Sequence, residues 1–366
     1  MGKLWDKIKE ILFGKKIKAL PPGEEETVNC RSERISEFKE GLSNYKTASQ
    51  INNPYIQYAL EQYFEEYLKQ INDIPTTGRI PDSYTVLTSI NALGGDTNQN
   101  VYYENNLLGK LRQERKYTIQ EQTKRQTGEC VYYHIKSNNY QRPEFSNMIR
   151  IYLNCKDEDV ANLAQQLLDN NTNPNYYLKF DSTIAMGKRA RSEKIVIYTD
   201  EEHWEQDTQN IMNVKRLNPE LFADSEKMNP FMEQYADTFC AIRHQETPFF
   251  TDLNGNTIKL LSTSSNRCVS QILQDSYKNV VQNIACKDPE LGFLLDEANI
   301  NNYNLYIQNY TYINSRYHEE LINGMENNMT TLSMKNKIFI NGISNKITEQ
   351  NIDYDQSQYS DDEYSL

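Results

Sequence analysis

Cys130 to Ile135 reads CVYYHI, Met148 to Leu153 MIRIYL, Tyr176 to Phe180 YYLKF and Lys194 to Tyr198 KIVIY. These short runs are rich in β-branched and aromatic side chains, which suit a pleated, half-buried surface, so four strands are expected. Alternation within MIRIYL and KIVIY turns one set of side chains inward and the other outward. Between the second and third runs, Asp157 to Asp169 carries Val160, Leu163, Ala164, Leu167 and Leu168 on one helical face. The order is therefore β-β-α-β-β, with a helix packed across the sheet. The expected fold class is α+β: an antiparallel-dominated central sheet at about residues 130–200, flanked by helical layers.

Outward from this centre the pattern changes. Ile56, Ala59, Leu60, Tyr63, Phe64 and Tyr67 fall at i, i+3, i+4 spacing, and residues 35–125 read mainly helical. Within them, Gly78 to Asn100 reads as loop, with Pro81, Gly94 and Gly95. Helices return over residues 205–330, notably Cys268 to Ile284 and Leu291 to Met325. At the start, Leu4, Trp5, Ile8, Ile11 and Leu12 form an apolar stripe among Lys3, Lys7, Lys9, Lys15, Lys16 and Lys18. Such a helix over residues 3–18 either docks on its own domain or makes peripheral contact with an anionic membrane. Asp6 stands where a myristoylation pattern needs Ser or Thr. Pro21, Pro22 and Gly23, followed by Glu24, Glu25 and Glu26, make a linker. The stretch from Asn351 to Leu366 is acidic, with no basic residue and almost no aliphatic content, so disorder is expected there. The expected organisation is a basic helix and linker at 1–30, one α+β domain at 31–350 and an acidic tail at 351–366.

Composition excludes several functions. A net charge of −12 disfavours nucleic acid as a partner, because phosphate-backbone binding rests on clustered Lys and Arg. The 6 cysteines show no C-x-x-C pair or regular spacing, which fits free thiols in a reducing compartment rather than a disulfide framework. His134, His203, His244 and His318 lie in no zinc-site setting, and the glycines form neither a P-loop nor a dinucleotide fingerprint. No apolar run is long enough to cross a bilayer, and no secretory signal is visible.

What remains is a set of cations beside strands: Arg150 in MIRIYL, Lys179 in YYLKF, and Lys188, Arg189, Arg191 and Lys194 leading into KIVIY. A Lys and an Arg facing one cleft supply a point charge and a bidentate fork, the pairing phosphate recognition favours. The same residues also fit an ordinary sheet face with solvated charges.

Here the chain resembles the HopA family of type III effectors. The resemblance is carried by RIYLN at 150–154, the following helix, YYLKF, KRARSEK at 188–194 and IVIYTD at 195–200, then by TPFFTDL at 247–253 and SSNRC at 264–268. It covers roughly residues 130–290. Relatives of that family act as lyase components in lanthipeptide and thioamitide biosynthesis, where a phosphorylated Ser or Thr becomes its dehydro form. A more distant resemblance, to the phosphothreonine lyases, rests on the order Lys179, Arg191, Tyr198, Arg267. One position departs: that family has a His on the strand before the helix, where this chain has Arg150.

The resemblance implies β-elimination of phosphate from a phosphorylated protein or peptide. Lys179 would be the base, Arg191 and Arg267 would hold the phosphate with Arg150 behind them, and Tyr198, His134 or His244 would protonate the leaving group. This chemistry requires no metal or organic cofactor. The resemblance also implies a protein made in the bacterial cytoplasm and translocated into a host cell without a cleaved signal peptide. Two alternatives stand beside it. One is a non-enzymatic effector that binds a phosphorylated partner or a host protein. The other is an ADP-ribosyltransferase, suggested by the Ser-Thr-Ser triplet in LSTSS at 261–265, with Arg243 upstream and Glu297 downstream.

Overall fold

Each of the four runs forms a strand of one antiparallel sheet in the computed structural model, which describes residues 54–343 apart from 79, 144–147, 187–190, 236, 244–246, 263 and 339. The basic helix and the acidic tail expected at the two ends lie outside the described residues, as do Lys188, Arg189 and His244. The strands are β1 (Tyr117–Thr123), β2 (Cys130–Ser137), β3 (Met148–Leu153), β4 (Tyr177–Asp181), β5 (Ile195–Asp200), β6 (Glu233–Tyr235) and β7 (Phe239–Arg243). They lie in the order β1-β2-β4-β5-β3-β7-β6, and every neighbouring pair is antiparallel. A separate hairpin pairs β8 (Phe249–Thr251) with β9 (Thr257–Lys259). The fold is α+β, as its alternation implies, and the sheet runs further than residues 130–200 on both edges.

The helices that matter to the sheet are α1 (Pro54–Asn72), α2 (Ser83–Ser89), α3 (Thr97–Glu114), α4 (Val160–Asp169), α5 (Trp204–Leu217), α6 (Ser265–Ala285) and α7 (Tyr310–Lys335). Because side chains alternate along a strand, the sheet builds two different faces. On one, Ile135, Ile149, Ile151, Leu153, Leu178, Phe180, Ile195 and Ile197 pack on Val160, Leu163, Ala164, Leu167 and Leu168 of α4. On the other, Met148, Tyr152, Val196, Tyr198, Cys240 and Ile242 meet a larger helical layer that includes α1, α6 and α7. The second face is only partly apolar, and the candidate site lies on it.

Three stretches depart from the sequence reading. β1 falls in the part read as mainly helical; it is an edge strand of polar residues, with only Tyr117 buried. β6 to β9 interrupt the region read as helical after residue 205. α2 lies within the stretch read as loop: the Asp82 side chain caps it by accepting from Thr85 N at 2.7 Å, and Val86 and Leu87 are buried beneath it. No helix among the described residues is long and apolar enough to cross a membrane.

α7 approaches α6 closely at Gly324, where an added Cβ would lie 2.7 Å from Val280 Cγ2 and 3.0 Å from Cγ1. Val280 is stiff at χ1 and cannot swing away. Gly324→Ala therefore sets a helix-propensity gain of up to about 1 kcal/mol against an overpacking cost of roughly 1–3 kcal/mol. We expect a net loss of about 1 kcal/mol, read as a lower urea midpoint with unchanged slope.

Candidate functional site

Strand register aligns the polar face in rows. Lys136 on β2 pairs with Tyr177 on β4, Tyr177 with Tyr198 on β5, and Tyr198 with Arg150 on β3. Directly opposite side chains on one sheet face are close neighbours, so the row forms a continuous stack. Lys136 Nζ lies 4.8 Å from the Tyr177 ring centroid, Tyr177 and Tyr198 stack at 4.2 Å with planes 11° apart, and the Arg150 guanidinium lies 4.8 Å from the Tyr198 ring. The adjacent row carries His134 opposite Lys179, which in turn faces Val196.

Lys179 is half-buried, with Nζ 4.2 Å from the centroid of the Tyr132 ring. Arg191, buried in the segment before β5, donates from a terminal nitrogen to the Tyr132 hydroxyl. That segment is held on α2, because Ser192 N and Oγ both donate to Thr88 O, at 2.8 and 3.1 Å. Arg267 lies in the first turn of α6, with its guanidinium 4.2 Å from the Tyr84 ring and 3.6 Å from Asp82 Oδ2. The charges that act on Arg191 are Asp181 first, then Tyr132 and Tyr84, so α2 lies near both arginines.

A second link joins them from below. Glu193 is buried; its Oε1 accepts from Asn229 Nδ2 at 2.9 Å and its Oε2 from Asn266 Nδ2 at 2.6 Å, while Arg191 lies 4.0 Å away. Burial pushes this carboxyl up against the opposing pull of Arg191 and the two amides. Next to Asn266, Ser265 Oγ lies 2.7 Å from the Tyr152 hydroxyl, which ties the start of α6 to β3.

These surroundings tune the acids and bases. Burial opposes ionisation of the Tyr198 phenol, but the charges of Lys179 and Arg150, with hydrogen bonding by Tyr177 and Lys179, outweigh it and hold the phenol below its ordinary value. Tyr177 moves the other way, raised by burial and by Tyr198. His134 is brought down to about 4, first by burial and then by the charges of Lys179 and Lys136, so its imidazole is neutral at pH 7. Its Nδ1 lies 2.6 Å from the Tyr177 hydroxyl and its Nε2 3.0 Å from Gln122 Oε1. A neutral ring with both nitrogens engaged is a poor source of a proton, which argues against His134 as the acid.

Of the residues singled out in the sequence, Lys179, Arg150, Tyr198 and His134 therefore share one sheet face, with Arg191 joined to Lys179 through Tyr132. Arg267 stands at the margin beyond Tyr84. The sequence reading does not single out Tyr132, Tyr177 or Glu193; the i, i+2 set of Tyr132, His134 and Lys136 opposite Val131, Tyr133 and Ile135 is the available signal for the first. In the Ser-Thr-Ser triplet, Ser264 is occupied as the cap of α6, and position 263 and the Arg243 side chain lie outside the described residues. No group of three or more His, Cys, Asp or Glu side chains suited to a metal ion occurs among the described residues.

No protein-family model matches the sequence, and no curated protein matches it. Among solved structures, the effector protein from Pseudomonas syringae pv. syringae strain 61 is similar at a TM-score of 0.36 and 12% identity, over 58% of this chain and 88% of that one. The effector protein from Pseudomonas syringae pv. tomato strain DC3000 is similar at a TM-score of 0.38 and 12% identity, over 61% and 88%.

Proposed function

We propose that the chain is an effector-type phosphothreonine or phosphoserine lyase that eliminates phosphate from a phosphorylated protein or peptide. The observation that carries this reading is the shared Tyr132, which the Lys179 amine and the Arg191 guanidinium both contact. The phosphate dianion rests against Arg191 and Arg267, with Arg150 behind, where preorganised donors hold the charge that develops as it leaves.

Lys179 in its amine form removes the proton from the substrate Cα. The C–H electrons form the Cα=Cβ bond, the Cβ–O bond breaks, and the phosphate departs with the bonding pair. Tyr198 gives that oxygen a proton, so the product is hydrogen phosphate, and the Lys179 ammonium, whose charge acts on the phenol, returns a proton to Tyr198. The cycle closes without net change in the protein. A phenol held below its ordinary value is the better donor for this step, and neutral His134 keeps the Tyr177 hydroxyl in place beside it.

The test is a phosphothreonine peptide incubated with the protein and followed by mass spectrometry. The expected product has lost phosphoric acid and carries a dehydro residue at the same position. An intact phosphopeptide that stays bound would replace the lyase with a phospho-partner binding effector, and consumption of NAD would point to the transferase.

A further inference from the structure

Lys179 and Arg191 come from different parts of the sheet, one from the middle of β4 and the other from the segment before β5, yet one side chain touches both. Tyr132 is buried on β2, opposite Asp181 of β4, two residues beyond Lys179. Its ring lies beneath the Lys179 Nζ at 4.2 Å, and the Arg191 guanidinium carbon is 5.6 Å from the same centroid. Its hydroxyl accepts from a terminal nitrogen of Arg191.

The remaining anchors of Arg191 are weaker. Glu193 is 4.0 Å away, beyond hydrogen-bond distance, and is itself pinned by Asn229 and Asn266, so it cannot close the gap. Arg191 Nε has no hydrogen-bond partner among the described residues. Asp181 and Glu193 act on this nearly buried guanidinium through their charge, whereas the Tyr132 hydroxyl is its hydrogen-bond partner among the described residues.

We propose that Tyr132 is a positioning residue whose ring seats Lys179 and whose hydroxyl orients Arg191, fixing the distance between base and phosphate. The proposal rests on the lyase reading of this site. The ring and the hydroxyl are separable by substitution, and they act on different steps. Tyr132→Phe keeps the aromatic face under Lys179 and removes only the hydroxyl. Tyr132→Leu removes both.

With a phosphothreonine peptide, Tyr132→Phe is expected to raise KM and the calorimetric Kd about tenfold while kcat stays within about twofold, the loss of one hydrogen bond to a charged group. Tyr132→Leu should add a fall in kcat of about tenfold, as the amine loses its seat. A purely structural role would instead lower Tm and the amount of active protein without separating KM from kcat. Phe is isosteric at this position, so Tyr132→Phe carries the test even where Tyr132→Leu fails to fold. Unchanged Kd in Tyr132→Phe, or equal losses in both variants, overturns the proposal. Where the wild type binds the peptide without eliminating phosphate, the lyase reading falls alone and the Kd comparison still decides the hydroxyl's role. A wild type that does not bind the peptide overturns both.

Discussion

Lys179→Ala is expected to lower kcat for phosphate elimination by on the order of 10³-fold, within the range that a positioned acid or base contributes, while the Kd for the phosphopeptide rises only a few-fold. The split follows from where the side chain sits. Lys179 rests over Tyr132, whereas the anion's partners, Arg191 and Arg267, are held independently by α2, by Tyr132 and by the start of α6. Removing the amine leaves those donors in place, so ground-state binding survives and the step that needs a base does not. Stability should change little, because Lys179 is half-buried and loses one contact with an aromatic face, worth about 1 kcal/mol. Single-turnover mass spectrometry with calorimetry on the same peptide measures both quantities. Elimination by the variant at the wild-type rate would remove Lys179 from the mechanism and leave Tyr198, on which the Lys179 charge acts, as the candidate base.

How far this site could be read in advance follows from the physics of its parts. β2 to β5, α4 and α6 announce themselves because their apolar positions repeat at the period of the element they form, and the burial that fixes them is recorded locally. β1 has no such record: YTIQEQT is an exposed edge whose identity comes from pairing with β2. α2, read as loop between Pro81 and Gly94, is a helix of Ser, Tyr, Thr and Val whose poor propensity is overcome by its cap and by burial against the rest of the chain. The same division governs the site. Lys179, Arg191 and Tyr198 stand out as polar residues in or beside strands and, with Arg267 in the first turn of α6, by their order along the chain. Tyr132 and Tyr177 do not, since an aromatic residue in a strand reads as core until the register shows which face it takes. Glu193 is the least legible, because a carboxylate beside Lys194 reads as surface until Asn229 and Asn266, both distant in sequence, are seen to bury it.

One contribution to stability should decline as pH rises from about 4 to about 7, opposite to the usual behaviour of a buried carboxylate engaged in an ion pair, and against the gain that His134, held down to about 4, makes between pH 4 and 6.5. The cause is Asp207 of α5, buried on the α4 side of the sheet and raised from 3.8 to about 7, first by burial and also by the charge of Asp200. Thr199, Asn173 and His203 act against the shift without cancelling it; Asn173 Nδ2 donates to Oδ1 at 3.0 Å. Since the folded-state value lies above the unfolded one, the folded protein holds a proton that the unfolded chain has released throughout this interval. The stabilisation is complete below the unfolded value and is lost as pH passes through the folded one, a change on the order of 4 kcal/mol. Asp207→Asn keeps an oxygen to accept from Asn173 and cannot ionise. Its stability should therefore stay flat over this interval as far as this position is concerned, and at pH 8 it should exceed the wild type by several kcal/mol. Urea midpoints collected from pH 5 to pH 8.5 on the two proteins measure the difference. Parallel pH profiles would mean that Asp207 is ionised in the fold at neutral pH and that its charge is compensated by the polar groups around it.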